Sequence, residues 1–89
     1  MLFSFKLGKP DNMQVTFENL KHKIANTGGK LTGNDQEGTI SVAGIEGKYT
    51  VDTDTIKITI TKKPSSLFPN KVIENRIRAI FRELQQLHF

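Results

Sequence analysis

Hydrophobic and polar residues alternate most regularly over residues 55–61. There Ile56, Ile58 and Ile60 face one way and Lys57, Thr59 and Thr61 the other. A period of two marks a strand with one covered and one wet face. The same alternation runs through Thr39-Ile40-Ser41-Val42 and Lys48-Tyr49-Thr50-Val51, with a turn at Ala43-Gly44 between them. Near the start, Leu2-Phe3-Ser4-Phe5-Lys6-Leu7 sets Phe3, Phe5 and Leu7 on one face, and Gly8-Lys9-Pro10 ends the strand. Lys30-Leu31-Thr32 reads as a short extended piece before the turn Gly33-Asn34-Asp35. The tight connections favour an antiparallel meander.

Two segments change to a helical period. Phe17, Leu20 and Ile24 recur at three and four residues and form one apolar stripe. A start after Thr16 gives this helix a capping hydroxyl, and Val15 and Leu20 take the two places of a hydrophobic staple. An earlier start at Asp11 adds Met13 to the same stripe. Asn26-Thr27-Gly28-Gly29 ends the helix, with Gly28 free to turn left-handed. The second helix runs over about residues 69–87, with Pro69 in its first turn. Ile73, Ile77, Ile80, Leu84 and Leu87 make its core stripe, which leaves Arg78 and Arg82 exposed. Glu74 stands four residues before Arg78, the favourable order for a helical ion pair. The expected fold is α+β: one domain over 1–89, β-α-β-β-β-α, an antiparallel sheet with both helices on one face.

Composition narrows the chemistry. Eighty-nine residues make one domain. With no cysteine there are no disulfides, thiolate metal sites or thiol nucleophiles. His22 points away from its helix's core stripe, and His88 stands near the last residue. Neither has a second ligand at metal spacing. Gly28-Gly29-Lys30 and Gly44-Ile45-Glu46-Gly47 fit neither the phosphate-loop nor the dinucleotide pattern. No catalytic residue, metal ligand or cofactor is therefore assigned. Glu46 and Glu74, each beside an apolar face, are the two carboxylates to watch for burial in a pocket. The apolar run at residues 1–5 is stopped by Lys6 and is too short for a signal-peptide core, and nothing approaches a membrane span. A cytoplasmic protein is expected.

Charge supplies the first candidate surface. The chain carries a formal net charge of +4. Residues 55–89 hold seven basic side chains against two acidic ones, whereas residues 1–54 hold six against seven. Lys71, Arg78 and Arg82 lie close together around the second helix, opposite its isoleucines, and Lys62 and Lys63 precede it. These five residues offer contacts to phosphates or to an acidic protein, or else form a solvated face. A second candidate surface is apolar: Leu67 and Phe68 before the helix and Phe81 upon it. Either they make an exposed patch for a partner, or Phe68 and Phe81 complete the core.

The second half of the chain resembles a known pattern. Gly44-Ile45-Glu46-Gly47-Lys48-Tyr49-Thr50-Val51, then Asp54-Thr55-Ile56-Lys57-Ile58-Thr59-Ile60, then Leu67-Phe68-Pro69 and Ile73-Glu74-Asn75-Arg76-Ile77 resemble the small bacterial polyhydroxyalkanoic acid system proteins. The likeness covers roughly residues 38–87. The first helix is shorter than that family's, and residues 62–66 are more polar. The resemblance implies a non-enzymatic accessory protein whose partner is a hydrophobic polyester granule surface or its synthesis machinery. The reading from charge alone is a small basic domain that binds nucleic acid or an acidic protein.

Overall fold

In the computed structural model, which describes residues 2–86 and side chains up to residue 83, the elements are β1 (Phe3–Gly8), α1 (Met13–Asn26), β2 (Lys30–Gly33), β3 (Glu37–Val42), β4 (Ile45–Val51), β5 (Thr55–Lys62) and α2 (Asn70–Gln86). The fold is α+β, as the hydrophobic pattern predicts, with one strand more than counted above. Residues 30–33 are a full member of the sheet, paired antiparallel with β3 from Lys30 opposite Ser41 to Gly33 opposite Gly38. A buried Leu31 and a hydroxyl contact of 2.5 Å between Thr32 and Thr39 hold this short strand in place.

The sheet order is β1-β5-β4-β3-β2, antiparallel throughout. Strands β2 to β5 form a meander, and β1 joins it through β5. The hairpin between β3 and β4 turns on Ala43 and Gly44, at φ 53° and 82°. Two successive left-handed residues match the twist of the flanking strands, as in a type I′ turn.

All the apolar sheet positions fall on one face. Phe5, Leu31, Ile40, Ile45, Tyr49, Ile56, Ile58 and Ile60 are buried there beneath Met13, Phe17, Leu20 and Ile24 of α1 and Ile73, Ile77 and Phe81 of α2. No described helix covers the other face, whose positions within the strands carry no apolar side chain; exposed Leu2 lies at its corner, just before β1.

Helix α1 starts four residues earlier than a cap at Thr16 implies. Asn12 is the cap, and its side-chain oxygen accepts from the Val15 backbone N–H at 3.1 Å. The earlier start lets Met13 extend the apolar stripe. Thr16 becomes an interior residue, 1% exposed, and Val15 stays exposed instead of closing a staple. On α2 the buried positions are Ile73, Ile77 and Phe81, with Ile80 only partly buried. The stripe is thus rotated slightly from the one the isoleucines suggest. The Leu84 side chain, Leu87, His88 and Phe89 lie outside the described residues.

Candidate functional site

The segment between β5 and α2 begins with an irregular ladder. Glu46 of β4 stands opposite Lys62, but Gly47 stands opposite Ile60, so Thr61 has no partner of its own. Its hydroxyl donates to the Glu46 carbonyl at 3.1 Å. Strict alternation after Ile60 would aim Lys62 at the core. The extra residue in this bulge restores Lys62 to the open side, where its ammonium lies 3.6 Å from the Glu46 carboxylate.

The loop that follows is held by its own polar groups. Lys63 Nζ donates to the Phe68 carbonyl at 3.0 Å and to Asn70 Oδ1 at 2.9 Å. The Phe68 N–H donates to the Ser65 carbonyl, and the Leu67 N–H to Ser65 Oγ. Pro64 packs near Gly44 of the β3–β4 turn. Phe68 folds inward against the core. Leu67, in contrast, projects into solvent and is 89% exposed. Val72, in the first turn of α2, is exposed as well.

The three apolar candidates therefore separate. Leu67 is a surface residue and Phe68 is partly buried. Phe81, open between an exposed patch and the core from sequence, is 5% exposed and belongs to the core, not to an apolar surface. The reason lies in the helix period: Phe81 is four residues after Ile77 and shares its face.

The five basic candidates do not make one free stripe. Lys62 is beside Glu46, and Lys63 is spent on the loop. On α2 the Glu74 carboxylate accepts from Arg78 Nε at 2.8 Å and lies 3.7 Å from Lys71 Nζ. The hydrogen bond from Arg78, helped by the charges of Lys71 and Arg78, holds the Glu74 carboxyl below its usual range. The Arg78 guanidinium also lies over the Phe5 ring, 5.4 Å from its centre, so this side chain is half-buried where full exposure was expected. Arg82 is exposed and makes no ion pair with the described residues. It borders a shallow notch of about 380 Å³ with Lys9, Gly8 and Phe81.

Neither carboxylate singled out in the sequence is sealed in a pocket. Glu46 is half-exposed, and Glu74 is held ionised by its cations. Among the described residues no three His, Asp or Glu side chains gather as metal ligands. No described helix is long and apolar enough to cross a membrane.

Sequence reasoning passed over a different set of cations. Lys6, Lys57 and Lys48 lie on the open face of β1, β5 and β4. Lys6 is opposite Lys57, while Lys57 is opposite Thr50 and Lys48 opposite Thr59. Their outward direction was legible from alternation. Their proximity was not, because β1 and β5 are far apart in the chain. Compared with family models, curated proteins and solved structures, the chain matches none.

Proposed function

We propose that the protein is a non-enzymatic accessory domain that docks an apolar surface through the loop before α2, with a polyester granule or its synthesis machinery as the partner. The observation that carries this reading is Leu67, 89% exposed on a loop whose backbone is fixed by Ser65, Lys63 and Asn70. A protruding leucine on a preordered loop loses little conformational entropy when it is covered. Val72, exposed in the first turn of α2, offers a second apolar side chain. The resemblance over residues 38–87 supplies the granule as the surface of choice.

Cosedimentation with purified polyester granules tests the reading. Binding is expected to persist in high salt and to weaken strongly in a Leu67→Ser, Val72→Ser double variant that keeps the wild-type urea midpoint. Unchanged binding by that variant, or loss of wild-type binding in salt, would refute it.

A further inference from the structure

The open face of the sheet carries a second feature, independent of the Leu67 loop. Lys6 and Lys57 are direct cross-strand neighbours. On the other side of β5, Lys48 is diagonal to Lys57, because Lys57 pairs with Thr50 and Lys48 with Thr59. Direct neighbours stand about 5 Å apart at Cβ and diagonal ones about 7–8 Å. Like charges placed directly opposite each other destabilise a sheet. A carboxylate at either position would have removed the cost. None of these three ammonium groups is within ion-pair distance of a described acid. Of the acids on this face, Glu46 is beside Lys62, and Glu37 lies on β3, opposite Thr50.

The surroundings select the ligand. Ser4 pairs with Thr59 and Thr50 with Lys57, so short hydroxyls flank the ammonium groups. Ammonium and hydroxyl donors together are the usual contacts to phosphate oxygens. Among the described residues the face holds no aromatic side chain, so it has no platform for an unpaired base. Its one aliphatic side chain among the described residues is Leu2, exposed at the corner just before β1, too little apolar surface to enter a lipid layer. Lysine is a point charge rather than a fork, which suits phosphate more than a base edge. We infer that Lys6, Lys57 and Lys48 form a docking surface for the phosphate backbone of duplex DNA, bound without regard to sequence.

Duplex DNA offers one charge per about 1.7 Å of axis, so three phosphates lie readily within the reach of this row. Neutralising three phosphates gives a slope of about −2.7 in log affinity against log salt, or about a 40-fold loss between 50 and 200 mM. The experiment is fluorescence anisotropy with a labelled 20-base-pair duplex over that salt range. The salt slope is expected near the stated value. Each of Lys6→Gln, Lys57→Gln and Lys48→Gln should flatten it by about one. Lys71→Gln, on α2, should leave both slope and affinity unchanged. Urea midpoints of Lys6→Gln and Lys57→Gln should equal or exceed wild type, because each relieves the opposed pair. That second measurement separates lost contacts from lost folding. No binding to the duplex at 50 mM salt, loss through Lys71→Gln instead, or equally tight binding of polyglutamate would overturn the inference. Each of these outcomes leaves the granule assay untouched.

Discussion

Tyr49 of β4 lies directly across from Gly38 of β3, and its ring occupies the volume that a side chain at 38 would need. A β-carbon built on Gly38 would stand 2.6 Å from Tyr49 Cε1 and 2.5 Å from its hydroxyl oxygen. It would also run into the Thr32 carbonyl on the opposite strand. The ring is only 4% exposed and leans on Phe17 of α1 at 6.3 Å between centroids. Its hydroxyl donates to the Asn34 carbonyl in the β2–β3 turn at 2.6 Å. One tyrosine thus ties the central strand to a helix and to the most distant hairpin.

Gly38→Ala is expected to destabilise by about 1–3 kcal/mol, since the ring and a backbone carbonyl must both move. Tyr49→Phe keeps the ring and loses the hydroxyl's bond, at about 1 kcal/mol. Urea denaturation compares the two, and Gly38→Ala should be the more damaging.

Alkaline pH acts on the same residue. Burial, aided by the negative charge of Asp35, pushes the Tyr49 phenol up to about 12. The unfolded chain ionises this group near its ordinary value of 10. Its contribution is therefore complete below pH 10 and is lost as pH rises towards 12. Tyr49→Phe should flatten the fall in stability between these values, measured by denaturation at a series of pH values. At the acid end the sign reverses for Glu74. Its carboxyl is held low by Arg78, so that contribution is present above the unfolded value and disappears as pH falls through the folded one.

Ala43 offers a substitution in the stabilising direction. It adopts φ 53° without being glycine, in a turn whose first central position favours Asn or Gly. Ala43→Asn should raise stability by about 0.5–1 kcal/mol, and Ala43→Gly by less, because glycine also frees the unfolded chain. Thermal melts of both variants give the order.

On α2, Ile77→Ala should cost about 2–5 kcal/mol through the cavity it leaves. Arg78→Ala, one position on, should cost about 1 kcal/mol. A fully exposed arginine would cost less, but this one loses its place over Phe5 and its bond to Glu74. Equal effects of the two substitutions would contradict the observed helix face.

Much of this arrangement could be read from side-chain period alone. The Ile56, Ile58 and Ile60 alternation gave the covered face of β5, and the isoleucines of α2 gave its inner side to within one position. What escaped was decided by contacts between distant segments. Thr16 and Asn12 are both good helix caps, and burial of Met13 decides between them. The bulge at Thr61 has no local signature, since threonine suits a regular strand equally well. The exposed Leu67 and the buried Phe81 are both apolar, and only the path of the loop tells them apart. The lysine row depends on the pairing of β1 with β5, which no local window contains.

That pairing also sets an order of events during folding. Strands β2 to β5 meet their partners across short turns, but Phe3 must find Ile60 across most of the chain. Closing so long a loop carries an entropic cost that local hairpins avoid, and such contacts slow folding. On the ribosome β1 emerges before β5 and has no strand to join until β5 has followed. Until then Phe3, Phe5 and Leu7 are an unpaired apolar strand, the kind of segment on which chaperones and aggregation compete. The arrival of β5 ends that interval and brings Lys6 beside Lys57, so the cationic row exists only in the finished sheet.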